Sequence, residues 1–168
     1  MRAARVIPTA LLAGLFLTLP GTVPGIGWLV GPPTAEAATA ASAAEQMLTL
    51  VNAERRKAGC ADVRLDPRLT SAASKHSADM ATNDYFSHTD RNGAGFATRM
   101  EAAGHPTPRS ENIAAGNSTA QATLSRWMDS AVHRRNILDC SAKDMGVGVA
   151  TDPGSTYGVY WTQDFGRG

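Results

Sequence analysis

The sequence predicts an α+β fold. Three observations carry that prediction. Two stretches with apolar residues at helical spacing come first, a further helix with its own start signal sits in the middle, and two β-rich segments joined by a tight connection close the chain. No internal repeat interrupts this order.

The first helical pattern begins at Ala44. Met47, Leu48, Leu50, Val51 and Ala58 fall near one face, Glu54, Arg56 and Lys57 lie largely off it, and Gly59 supplies a C-terminal stop. The second helix opens on Asp66, a capping residue, and Pro67, which suits the first helical position. Leu69, Ala72, Ala73, His76 and Met80 then recur at spacings of three and four until Asn83-Asp84. Residues 86–95 read as a loop with turn chemistry at Asp90-Arg91-Asn92-Gly93. A short helix is predicted over 96–103, stopped by Gly104. Pro106 and Pro108 then impose irregular chain as far as Ser110. Ser118-Thr119-Ala120-Gln121 matches a capping box, so a third long helix is expected from Thr119 to about Ser130, with a further turn or two over 132–138. Two strands close the chain: 145–150, where apolar residues alternate with glycine, and 157–165, which is aromatic and β-rich. Asp152-Pro153-Gly154-Ser155 connects them.

The N-terminal segment reads as an export signal. Arg2 and Arg5 precede an apolar run from Val6 to Leu19, prolines and glycines break it, and Ala35-Glu36-Ala37 fits the small-x-small cleavage rule. The expected organisation is a signal peptide over 1–37, a flexible Ala/Thr/Ser-rich leader over 38–44, and one domain over 45–168. The run is short for a membrane span and is interrupted by Pro8 and Pro20, so the mature chain is expected to be secreted, monomeric and not membrane-spanning. With 16 Lys and Arg against 15 Asp and Glu and only short basic clusters, no case for nucleic acid arises. Cys60 and Cys140 are the two cysteines, and two thiols in an oxidising compartment pair. The bridge would close a loop of about 80 residues and contribute on the order of 4 kcal/mol by chain entropy.

Four polar signals stand among apolar neighbours: Phe86-Ser87-His88, Glu111-Asn112-Ile113-Ala114, the run from His133 to Leu138, and Tyr160-Trp161-Thr162-Gln163-Asp164-Phe165-Gly166. Together with Trp127 and Ser130, which precede His133 at the spacing Trp-x-x-Ser-x-x-His-Arg-x-Asn-Ile-Leu, these segments resemble the CAP (SCP-like) superfamily of cysteine-rich secretory, antigen 5 and pathogenesis-related proteins, in its bacterial secreted form. The resemblance covers about residues 45–166. It implies a three-layer α-β-α sandwich with a small central antiparallel sheet, and a cleft lined by His88, Glu111 and His133. Two departures are visible. Ala131-Val132 stand where bacterial relatives often have Pro-Gly, and Ser130 stands where many eukaryotic members carry a second cavity glutamate.

The chemistry of such a trio is open between three readings. Neutral imidazoles bind zinc or a similar divalent ion, so His88 and His133 are candidate metal ligands, although no cofactor is required. A histidine beside a carboxylate also serves as a general base, which would suit a peptidase-like hydrolase. Third, Glu111 and the histidines would form a structural polar cluster in an extracellular scaffold. The expected partner is a small ligand, lipid or peptide. Other candidates are weaker. His76, on the apolar face of the second helix, reads as a satisfied core histidine, and His105 before Pro106 reads as exposed. Ser125, Asp129 and His133 would stack along one helix face rather than surround a substrate. Asp90-x-Asn92-Gly93 is a turn, since the later ligands of a calcium loop are missing. Gly146-x-Gly148 is read as a place of close packing or a bulge.

Overall fold

The computed structural model describes residues 35–168, with side chains from Thr39 onward. The expected signal segment falls almost wholly outside the described residues. Helix α1 spans Ala35–Lys57. It therefore includes the 38–44 stretch read as a flexible leader. Alanine has the highest intrinsic helix propensity, and Ala44 at the end of that stretch is already buried in the core with Met47 and Val51. The helix stops as the sequence predicts. Gly59 takes a left-handed φ of 78°, its amide donates to Arg56 O (3.1 Å), and the Cys60 amide donates to Arg55 O (2.9 Å).

Strand β1 (Arg64–Leu65) leads into α2 (Pro67–Thr82). Asp66 caps α2 by accepting from the amides of Arg68 and Leu69. Short α3 (Phe96–Ala102) is followed by β2 (Pro108–Ala115), then by α4 (Ala120–Asp129) and α5 (Ala131–Ile137), and β3 (Asp144–Thr151) and β4 (Val159–Gly166) close the chain. Thr119, not Ser118, caps α4, through the Ala122 amide. Two elements were not expected from sequence: β1, too short to show a pattern, and β2, placed where the prolines suggested irregular chain. Pro108 is tolerated because it begins an edge strand, where a missing amide costs no ladder bond.

The sheet order is β1-β3-β4-β2. The three long strands are antiparallel, with Glu111 opposite Asp164 and Gly148 opposite Thr162, while β1 joins β3 in parallel. Helices cover both faces, giving the three layers. On one face α2 lies so close to β3 that a side chain at Gly146 would meet the backbone of Leu69 and Thr70, and one at Gly148 the backbone of Ala73 and Ser74. The two glycines are sites of close packing, as read from sequence. On the other face α1, α4 and α5 bury Met47, Val51, Leu124, Trp127 and Ile137 against Met145, Val147, Trp161 and Phe165.

A buried polar clamp and a disulfide tie distant segments together. Arg55, part of the short basic cluster Arg55-Arg56-Lys57, is fully buried and donates to the carbonyls of Ala61, Ile137, Asp139 and Ala142. A long guanidinium with five donors satisfies a group of carbonyls that no helix or sheet reaches. Beside it Cys60 and Cys140 form the expected disulfide, joining the end of α1 to the segment after α5.

Candidate functional site

β2 is an edge strand, and the site forms around it. Edge strands leave every second residue's carbonyl unpaired. Here side chains from the far helices fill that need: Asn136 Nδ2 donates to Glu111 O (3.2 Å), Trp127 Nε1 to Ile113 O (3.1 Å) and Arg126 Nη1 to Ala115 O (3.2 Å). Asn112 turns to the same side, donating to Gln163 Oε1 (3.0 Å) and to His133 O (3.3 Å) and accepting from Asn136 (2.8 Å). Trp127, Asn136 and Asn112 thus fix where α5, and with it His133, sits on the strand.

A cleft of about 380 Å³ straddles this edge. Phe86, Ser87 and His88 form one wall, Ile113 and Ala114 the floor, and Arg126, Trp127 and His133 the other wall. His88 comes from the loop after α2 and His133 from α5, so the two imidazoles reach the cleft from opposite layers of the sandwich. His133 Nδ1 is buried without a partner. Burial, then the neighbouring His88 and Arg126, hold the His133 pKa below the usual imidazole value, which keeps the ring neutral at neutral pH.

Glu111 lies behind this cleft rather than in its lining. The even and odd residues of a strand face opposite ways, so Glu111, Ile113 and Ala115 point toward α2 and α3 while Asn112 and Ala114 point toward α4 and α5. The Glu111 carboxylate is nearly fully buried. Oε1 accepts from His88 Nδ1 (2.7 Å) and Oε2 from Arg99 Nη2 (2.5 Å). Arg99 also donates through Nη1 to His88 O (2.9 Å) and Ala94 O (2.7 Å). His88 is therefore oriented by Glu111 at Nδ1 and fixed at its backbone by Arg99, with half of its side chain exposed.

The sequence indicated a single carboxylate at the site. The fold sets a second one beside it, behind the cleft. Asp164 on β4 stands in register with Glu111 and is buried. Burial and then the Glu111 charge push its pKa well above the ordinary carboxylate value, against the opposing effect of Arg99. Arg99 was not singled out from sequence, and Asp164 was named only within the Tyr160 to Gly166 signal, without a role of its own. Asp164 lies in the β-rich 157–165 segment, and alternation against an expected neighbouring strand is the signal that would have found it.

The trio is only partly gathered. His88 and His133 share the cleft, and Glu111 touches His88 alone. Among the described residues, the one group of three His, Cys, Asp or Glu side chains whose ligand atoms all lie within 4.8 Å of one another is elsewhere: Asp66, His105 and Asp144. His105 is fully buried, which corrects the expectation that it is exposed. Its Nε2 lies 3.3 Å from Asp144 Oδ2 and its ring packs where a side chain at Gly166 would stand. Arg68 is hydrogen-bonded to Asp66, and Arg64 to Asp144 Oδ1, so this group already has its counter-charges. His76 is buried as expected, with Nε2 donating to Ser87 O (2.9 Å), but it is only half satisfied, since Nδ1 is buried without a partner.

The profile of the cysteine-rich secretory protein family, CAP, matches residues 48–165. The chain belongs to the CAP family. It is 34% identical over 134 residues to the uncharacterised protein YkwD of Bacillus subtilis (strain 168), covering 79% of this chain and 50% of that protein. It is 33% identical over 123 residues to the uncharacterised membrane protein YlbC of the same organism, covering 72% of this chain and 33% of that one. Among solved structures it is similar to an extracellular SCP-domain protein from Bacillus anthracis str. Ames, with a TM-score of 0.70, 29% identity, and coverage of 82% of this chain and 45% of the other. The chain thus spans half or less of the length of these relatives.

Proposed function

We propose that this chain is a ligand-binding domain that works outside the cytoplasm, and that the cleft along β2 is where it binds. The single observation behind this reading is the pairing of His88 and His133 in one cleft with apolar walls at Phe86, Ile113 and Trp127. Such a cleft suits a small ligand or a peptide side chain that is apolar on one flank and meets imidazole on the other. An extracellular setting is supported by the B. anthracis relative, by the disulfide and by the export-like N-terminus. Among the described residues no helix is long and apolar enough to cross a membrane.

The donor set also suits a divalent ion such as zinc. His88 is held at Nδ1 by a carboxylate, the arrangement that orients an imidazole ligand and raises its basicity, and His133 has a buried nitrogen without a partner. Glu111 would then orient a ligand rather than be one. The test is titration of the oxidised protein with zinc chloride, with bound metal read by mass spectrometry. Binding that is lost in His88→Ala and in His133→Ala, both still folded, supports the reading. Undiminished binding in the double variant overturns it, and so does the absence of binding together with a large loss of stability in both variants.

The Glu111–His88 hydrogen bond favours one second reading. A histidine oriented by a carboxylate is half of a hydrolytic machine. Turnover of a peptide or ester substrate that disappears with His88→Ala would establish it.

A further inference from the structure

The walls of the cleft carry one permanent charge. Arg126 is the only Lys, Arg, Asp or Glu among the described residues that line it. Its Nη1 donates to Ala115 O (3.2 Å), which pins the guanidinium at the end of the floor formed by Ile113 and Ala114. The lowered pKa of His133 shows that this charge reaches the ring on the same wall. Arg126 is exposed, no carboxylate pairs with it among the described residues, and its Nε and Nη2 have no acceptor there. The charges behind the cleft offset one another. Glu111 gives one oxygen to His88 and the other to Arg99, and burial holds Asp164 toward its protonated form. The field inside the cleft is therefore that of a cation.

A guanidinium bound at Nη1 still offers its Nε–Nη2 edge, two parallel N–H groups that match the two oxygens of one carboxylate. An ammonium would meet Arg126 with no carboxylate in the walls to offset it. A neutral amide oxygen would satisfy the edge without the charge that strengthens both bonds. A divalent ion held by His88 and His133 would add to the same sign. The rest of the ligand is apolar on one flank. Phe86 lines the cleft, is 42% exposed and leans on Tyr157, itself 49% exposed, with ring centroids 5.9 Å apart. These are two of the three large apolar side chains exposed among the described residues. A long acyl chain would suit that shelf, but it would cover Ser87 and His88 without replacing their hydrogen bonds to water. A peptide end brings backbone amide groups to both.

We propose that the cleft binds the free C-terminus of a peptide that ends in an apolar residue, with Arg126 taking the terminal carboxylate and Phe86 the terminal side chain. This assignment rests on the cleft being the binding site, and it names the chemistry that the site selects. A space of about 380 Å³ suits one terminal residue and the start of the next.

The test is an NMR titration of the full, oxidised, metal-free, ¹⁵N-labelled chain, read at the Ala114 and His133 amides and the Trp127 indole. The probes are N-acetyl-phenylalanine, its C-terminal amide and octanoate. N-acetyl-phenylalanine is expected to shift these resonances saturably and to bind about tenfold or more tighter than the amide. Arg126→Gln should bring the acid down to the level of the amide. Arg135→Gln, which removes the same charge from an exposed position outside the lining, should leave the preference intact. Phe86→Ser should weaken acid and amide alike, by about tenfold. Acid and amide bound equally by the parent overturn the carboxylate, and a preference that survives Arg126→Gln overturns the role of that residue. Octanoate bound more tightly than N-acetyl-phenylalanine overturns the peptide assignment, and no saturable shift with any probe overturns the proposal outright. Amide bound as tightly as acid, with the shifts confined to the cleft, leaves the cleft reading standing while this one falls, and the zinc titration decides the metal separately.

Discussion

Replacing Glu111 tests how the buried charges share one network. Its carboxylate is almost fully buried and receives two short hydrogen bonds, from His88 and from Arg99. Removing one partner of a buried ion pair ordinarily costs about 3–5 kcal/mol, because the other charge is stranded. Arg99 would not be stranded here. It keeps the carbonyls of His88 and Ala94, and Asp164 stands beside Glu111 on β4. Asp164 is held toward its protonated form by burial and next by the Glu111 charge, so loss of that charge frees it to ionise and take over as counter-ion. Glu111→Gln is therefore expected to cost only about 2 kcal/mol, the worth of weakened hydrogen bonds to charged groups. The double variant Glu111→Gln/Asp164→Asn, with no carboxylate left, should cost about 3–5 kcal/mol. Asp164→Asn alone carries a definite sign. A raised folded pKa gives stability that is present below the unfolded value of 3.8 and is lost as pH rises, so this variant should gain on the parent as pH rises above about 4. Urea unfolding followed by tryptophan fluorescence suits the measurement, since Trp127 and Trp161 are both buried. Additive costs in the double variant, or an Asp164→Asn chain that loses ground with rising pH, would refute the shared-counter-ion argument.

Three further outcomes follow from other parts of the fold. Cys60→Ser/Cys140→Ser, which opens a link spanning a sequence separation of 80, should lower the unfolding free energy by up to about 4 kcal/mol, and parallel urea curves would check it. Gly148→Ala should cost about 3 kcal/mol or more, because its methyl would fall on the α2 backbone at Ala73 and Ser74 and neither strand nor helix can yield locally; an unchanged thermal midpoint would contradict this. Asp66 has its pKa drawn down to about 2, chiefly by the Arg68 guanidinium, so its contribution is present above the unfolded 3.8 and disappears as pH falls toward about 2; Asp66→Asn should flatten the acid limb of the stability curve in that window.

The helices were legible because their signals are local. Asp66-Pro67 starts α2 and Gly59 ends α1 through bonds within a few residues, and the Gly146/Gly148 alternation marks a contact that only missing side chains permit. β2 was not legible. Pro106 before it, Pro108 at its start and its Ser110-Glu111-Asn112 polarity argue against a strand, and it is one because β4 and the side chains of Trp127 and Asn136 satisfy its backbone from far along the chain. Missing β2 also hid Asp164, whose partnership with Glu111 exists only through their register. His105 was misjudged for the same kind of reason. Its burial is set by Asp144 and by the space above Gly166, both remote in sequence. The burial of Arg55 was not legible either, because nothing local shows the carbonyls it collects. The membership of His88 and His133 in one cleft rested on family resemblance, since the two reach it from opposite layers.

The family motif divides by role once its contacts are traced. Trp127 and Asn136 cap the exposed carbonyls of an edge strand, Asn112 anchors the backbone of α5, and Ile137 fills the core. An uncapped edge invites pairing with another chain, so these residues are needed whatever the protein binds. Glu111 belongs with them in part, since it also neutralises Arg99. His133 and His88 line the cleft, His133 with a buried Nδ1 that has no partner and His88 bonded through Nδ1 to Glu111. The match over residues 48–165 therefore speaks strongly for the fold. The proposed binding function rests instead on the two rings that share the cleft, and the His88 and His133 variants test it.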